Sequence, residues 1–208
     1  MKYIFINPVV ANMYDSEALN AVLYKNGYHR VEVQEDWHGK VKVKYQEVLE
    51  KTNVTVLDRR CPKAIELVNS LGEKHDACIP DIEPILIHCA MELAQREDLK
   101  GHQKVITTPC ESLARHGNKL QLEDTIFISW KECLKTLEGN ENLQGKMLKA
   151  SPIPPGYFKS LGVKTSSLSD EEVIKEHFNS GRYKEDELVE MLYCIDGCNN
   201  GDGVVLDE

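Results

Sequence analysis

The chain has 208 residues, 41% of them hydrophobic, which is enough to bury a substantial core, and its formal net charge is -9 with a pI near 5.3. An acidic surface with no overriding Lys/Arg cluster repels phosphate backbones, so composition speaks against nucleic-acid and anionic-membrane roles. The apolar run at Met1 to Asn7 is too short for a signal peptide and no stretch reaches transmembrane length, so the chain reads as cytoplasmic.

Tyr3 to Ile6 reads as a short strand ended by Asn7-Pro8. Ser16 to Asn26 follows as a helix, with Leu19, Val22 and Leu23 on one face, Asp15 as cap and Gly27 past its end. Val31 to Val33 suggests a second strand and Gln34 to Lys40 a loop, while Val41 to Lys51 fits either a strand or a helix. Val54 to Leu57 is apolar and β-branched enough for a buried parallel strand. It runs into Asp58-Arg59-Arg60-Cys61-Pro62, where Pro62 opens a helix that Gly72 closes. That places Cys61 near the cap, where exposed N–H groups, the helix dipole and Arg59 and Arg60 favour a thiolate.

A long helix begins near Asp81, with Cys89 on its core face, and Cys78 lies in the loop before it. Lys104 to Thr107 is another strand whose exit, Thr108-Pro109-Cys110, leads to a short helical turn from Glu111 that breaks at Gly117-Asn118. Thr125 to Ser129 is a strand and Trp130 to Leu137 a helix, with Cys133 assigned to packing. The segment from Gly139 to Ser169, rich in Pro, Gly, Asn and Ser, suggests irregular surface structure or a lid. Ser169 and Glu172 form a capping box for a helix through about Phe178, and Glu185 to Tyr193 reads as a last helix delivering the chain to Cys194.

Seven cysteines without an export signal argue for metal or redox chemistry over a disulfide framework. Open α/β sheets bind ligands beyond the carboxyl ends of their strands, so Cys61 and Cys110, each at such an end, can face one crevice. Cys194 and Cys198 stand in a loop with Gly197, Gly201 and Gly203. Four thiolates suit a cubane iron-sulfur cluster or a structural zinc, and spacing alone leaves both open. The histidines are scattered, and Glu111, Glu190, Asp196 and Asp202 read as solvated or capping groups.

On these residues the chain resembles the catalytic domain of iron-only (FeFe) hydrogenases. That family carries Thr-Ser-Cys-Cys-Pro, Met-Pro-Cys-Thr-Ala-Lys-Lys and Glu-Val-Met-Ala-Cys-Pro-Gly-Gly-Cys-Val-Asn-Gly-Gly-Gly. Here they stand as Asp58 to Pro62, Thr108 to Ala114 and Glu190 to Gly203. The resemblance implies an α/β fold with two lobes of mostly parallel sheet flanked by helices and a cofactor cleft between them. It implies a 4Fe-4S cluster on Cys61, Cys110, Cys194 and Cys198. The family's proton-relay cysteine is Arg60 here, its cyanide-holding lysine is Leu113, and its methionine before the third ligand is Leu192. Together these losses argue against the two-iron subcluster and hydrogen turnover.

The expectation is therefore one hydrogenase-like domain, with lobe one at 1–77, lobe two at 78–150 and an irregular and helical segment at 151–208. It serves electron transfer or redox sensing with a redox protein partner, and without nucleic acid or membrane. The alternatives are a divergent hydrogenase retaining the two-iron unit, an iron-sulfur cluster assembly factor and a cluster-free binding module.

Overall fold

The computed structural model of the chain describes residues 1–71 and 76–205. Its α/β fold has two four-stranded sheets in which every pairing is parallel, each flanked by helices. The chain divides into two units built from interleaved segments. Unit 1 is Met1–Glu35, Leu86–Pro152 and Cys198–Glu208, and unit 2 is Asp36–Ile85 and Ile153–Gly197. Strand pairing thus sorts the segments differently from a consecutive division at 77 and 150.

Unit 1 contains strands β1 (Lys2–Phe5), β2 (Tyr28–Arg30), β5 (Gln103–Thr108) and β6 (Thr125–Ser129), in the order β2-β1-β5-β6. Asn7 does more than end β1. Its Oδ1 accepts from Val10 N (3.2 Å) and, with Pro8 in the first turn, starts helix α1 (Pro8–Met13), which the sequence pattern did not reveal. Helix α2 (Ser16–Lys25) is capped by Asp15, as expected, and the chain leaves it through Gly27 at φ +77°. The second strand falls at β2, three residues ahead of the expected Val31 to Val33.

Helices α1 and α2 join Ile4, Ile6, Val105, Trp130 and Cys133 in one core. Helix α6 (Glu111–Lys119) runs straight through Gly117 instead of breaking there. A Cβ at Gly117 would meet the Phe127 ring at 2.5 Å, so the glycine admits the β6 side chain against the helix. Asn118 fixes the contact by donating to Phe127 O (2.8 Å) and accepting from Phe127 N (2.9 Å). Helix α7 (Trp130–Lys135) follows β6 directly. The connections β1 to β2 and β5 to β6 run in opposite directions across the sheet, so the strand order reverses between β1 and β5. Ligands of open α/β sheets favour the carboxyl ends at such a reversal, and Cys110 follows β5 there.

Unit 2 contains β3 (Thr55–Leu57), β4 (Ala77–Cys78), β7 (Thr165–Ser169) and β8 (Leu188–Leu192), ordered β4-β3-β8-β7. The undecided segment is helix α3 (Trp37–Leu49), whose first residues lie in the stretch expected to be loop. Helix α4 (Pro62–Ser70) starts at Pro62 with Cys61 as N-cap, and Gly72 lies outside the described residues. Cys78 belongs to the edge strand β4, not a loop. The long helix begins at Ile85, later than Asp81, as α5 (Ile85–Gln95), and from Leu86 onward it belongs to unit 1.

Three further expectations are corrected in unit 2. Thr165–Ser169 is a strand, and Phe158 is fully buried, so the Pro- and Gly-rich segment contributes to the sheet and the core beyond its irregular stretches. Its proline-free end keeps every backbone N–H and pairs with β8 in parallel register. Leu188–Leu192 is a fully buried strand, not a helix. Asp170, rather than Ser169, caps helix α8 (Glu171–Asn179), accepting from Glu172 N and Val173 N. Helices α4 and α8 bury Ala64, Val68, Ile174 and Phe178 against Leu57, Val189 and Met191. Among the described residues no helix is long and apolar enough to cross a membrane.

Candidate metal-ligating cysteines

Alternation along β3 and β8 sends Leu57, Val189 and Met191 to the α4–α8 face, and Asp58 and Glu190 to the other. Both carboxylates are fully buried, and one guanidinium neutralises them together. Arg60 donates through Nε (3.0 Å) and Nη2 (2.8 Å) to Asp58, and through Nη2 (2.6 Å) to Glu190. Its plane lies 4.3 Å from the Tyr157 ring centroid and 4.5 Å from that of Phe158.

The remaining acceptor capacity is filled. Glu190 also receives Gly156 N (2.7 Å), Tyr157 N (3.1 Å) and Ser167 Oγ (2.9 Å), while Asp58 receives Arg60 N (2.9 Å) and Tyr45 Oη (3.2 Å). Burial alone would lower the Arg60 pKa, but the Asp58 and Glu190 carboxylates hold it above its ordinary value. This network was not legible as a site, and Glu190 is not the solvated group its composition suggested. The available signal was a carboxylate inside the apolar run Leu188 to Leu192, which demands a buried partner.

Cys61 follows β3 and Cys194 follows β8, and these strands are hydrogen-bonded neighbours in unit 2. Cys61 is the N-cap of α4, and its side chain makes no hydrogen bond to the first N–H groups of that helix. Burial raises the Cys61 pKa above its ordinary value, contrary to the expected favouring of thiolate. The two arginines do not offset this effect. Arg59 pairs with Asp81 (2.7 Å) and Glu83 (3.3 Å), and Arg60 is committed to Asp58 and Glu190.

In unit 1, Cys110 is the N-cap of α6, and its Sγ accepts from Leu113 N at 3.4 Å. The loop carrying Cys198 closes on the Cys110 turn through Gly203 N to Pro109 O (3.1 Å), Lys131 N to Gly203 O (2.8 Å) and Glu111 N to Asp202 Oδ1 (3.1 Å). Asp202 is thus a capping group, as expected. A Cβ at Gly201 would fall on the Pro109 carbonyl, and one at Gly203 would lie 2.9 Å from Cys110 Cα. Only glycine permits this approach. Cys198 packs against the unit 1 core.

The structure therefore organises the expected ligands as Cys61 with Cys194 in unit 2 and Cys110 with Cys198 in unit 1. Two thiols in each unit would supply half of a four-thiolate ligand set, and the Leu113 N–H directed at the Cys110 sulfur suits a ligating thiolate. Among the described residues no three His, Cys, Asp or Glu side chains are gathered as a metal site. None of the seven cysteines is in a disulfide. Cys89 and Cys133 are buried, as expected, and burial pushes both thiols up to about 12. A pocket of about 400 Å³, lined by Thr52, Thr55, Lys184, Asp186 and Glu187, lies by the starts of β3 and β8, away from their cysteine-bearing ends.

Comparison of the chain with protein-family models gave no match, and comparison with curated proteins gave none either.

Proposed function

We propose that Cys61, Cys110, Cys194 and Cys198 together bind one 4Fe-4S cluster, and that the protein serves electron transfer or redox sensing without hydrogen turnover. The observation carrying this reading is that Cys61 and Cys194 follow neighbouring strands of unit 2, while in unit 1 the Cys198 loop closes on the Cys110 turn, where Leu113 N donates to the Cys110 sulfur. Bound there, the cluster would supply one-electron chemistry, and the chain would hold it through the four thiolates. The Leu113 N–H already directed at Cys110 would stabilise the negative charge on a ligating sulfur.

The same residues support the absence of hydrogen turnover. Arg60, at the family's proton-relay position, is fixed between two buried carboxylates and retains its protons. Leu113 is buried and offers no side-chain cation. Anaerobic reconstitution with iron and sulfide tests the proposal. About four irons and four sulfides per chain are expected, with loading lost when any of the four cysteines becomes alanine. A chain that takes up no iron, or takes it up equally with Cys194→Ala, overturns the reading.

A further inference from the structure

Among the described residues, three buried side chains around the Cys110 and Cys198 turns keep a polar atom without a protein partner: Ser112 Oγ, Ser129 Oγ and Asn199 Oδ1. All three residues are at least nine-tenths buried and belong to unit 1. Such orphans are uncommon because an unpaired buried polar group costs about 1–3 kcal/mol. Their grouping beside one thiol pair is therefore informative.

The local fold explains why Ser129 is left unpaired. It is the N-cap of α7, where its hydroxyl would ordinarily accept from the helix's first N–H groups, but it makes no such bond. Gly203 O occupies the Lys131 N–H instead, at 2.8 Å. The same Gly203 wedges between Ser129 and Cys110, since a Cβ there would lie 2.9 Å from both Ser129 Cβ and Cys110 Cα. Ser112 lies in the first turn of α6, two residues after Cys110, and makes no i−4 bond. Asn199 follows Cys198 and donates Nδ2 to Leu148 O (3.1 Å), which leaves an acceptor.

A hydroxyl can donate to sulfide or thiolate sulfur, and such bonds raise the reduction potential of an iron-sulfur cluster by stabilising the more negative state. We infer that Ser112 and Ser129 are hydrogen-bond donors to sulfur of the cluster held at Cys110 and Cys198, and that they set its potential. The inference rests on the cluster reading above. Asn199, whose unpaired atom is an acceptor, anchors the loop through its amide nitrogen.

The test compares wild type, Ser112→Ala, Ser129→Ala and the double variant after anaerobic reconstitution, by iron and sulfide content and by redox titration. Equal loading is expected, with each single variant shifted to more negative potential and the double variant shifted further. At the wild-type midpoint the reduced-to-oxidised ratio should fall several-fold, a tenfold fall being about 59 mV for a one-electron couple. Ser129→Thr, which keeps the hydroxyl, should restore the wild-type value. Loaded alanine variants with the wild-type potential overturn the inference while leaving the cluster reading intact. A wild-type chain that binds no iron overturns both. Metal-free alanine variants should be as stable as wild type or more so, since a methyl replaces an unpaired hydroxyl. A lower melting temperature in the metal-free state would show these hydroxyls already partnered, and would also overturn the inference.

Discussion

The two units hold their thiol pairs by different physical means. In unit 1 the Cys110 and Cys198 turns are joined by backbone hydrogen bonds and by glycines that let main chain touch main chain. In unit 2 the strand ends leading to Cys61 and Cys194 are backed by one guanidinium shared between two buried carboxylates. The first arrangement is sensitive to added volume and tolerant of charge elsewhere. The second is sensitive to the loss of a single charge.

Replacing Arg60 with methionine should break the comparison most severely. It keeps much of the apolar stem but leaves Asp58 and Glu190 buried without their cation, a cost of about 3–5 kcal/mol. With Trp37→Phe as background, Trp130 reports on unit 1 alone, while cysteine labelling at Cys61 reports on unit 2. Urea unfolding should show Cys61 exposed at lower denaturant and the Trp130 transition little moved. Equal shifts in both signals would mean that the network supports the whole chain.

Alkaline titration gives the next largest effect, carried in unit 1 by two buried thiols. Cys89 and Cys133 lie in unit 1, and burial pushes their thiols from 9.0 up to about 12. The folded chain keeps these protons while the unfolded chain releases them, so their contribution is full below about pH 9 and is lost as pH rises towards 12. Each thiol adds at most about 1.4 kcal/mol per pH unit to the fall. In unit 2 burial raises Cys61 from 9.0 and Tyr45 and Tyr157 from 10.0, so its fall begins in the same range and the tyrosines carry it further. Cys133→Ala should flatten the Trp130-reported slope between pH 9 and 12, and an unchanged slope would contradict the assignment.

Gly203→Ala tests the backbone cradle itself. The added methyl meets Cys110 Cα and Ser129 Cβ, so the loop must shift, at about 1–3 kcal/mol for overpacking. Iron uptake should fall with it, and restored uptake at higher iron concentration would indicate a displaced ligand rather than a lost fold. Normal stability and uptake would show that the cradle is loose.

How much of this was readable beforehand follows the same division. Strand exits at Cys61 and Cys110 were legible because Pro62 and the apolar runs before both cysteines act locally. Asp15 as cap was legible for the same reason. The strand Leu188–Leu192 was not. Five consecutive buried residues lack alternation in polarity, and the carboxylate at Glu190 acquires its meaning only from Arg60, 130 positions away. Helix α6 was cut short on paper because Gly117 weakens an isolated helix, whereas the Phe127 ring makes it the residue that fits. Positions governed by tertiary contact were hidden, and those governed by caps and turns were open.

The finest test concerns Tyr45, which donates to Asp58 Oδ1 (3.2 Å) and accepts from Arg59 N (2.8 Å) while packing 4.5 Å from the Phe158 ring centroid. Tyr45→Phe keeps the ring packing and removes both hydrogen bonds, so the expected cost is about 1–2 kcal/mol, well below that of Arg60→Met. The informative quantity is the coupling. With Arg60 present, Asp58 retains its guanidinium partners when the hydroxyl is lost; with Arg60 replaced, the hydroxyl is among the few donors left to a buried carboxylate. Tyr45→Phe should therefore cost more in the Arg60→Met background, by at least about 0.5 kcal/mol in a double-mutant cycle. Simple additivity would show Tyr45 and Arg60 acting independently, and unit 2 would then owe its strand-end geometry to packing and not to a coupled polar network.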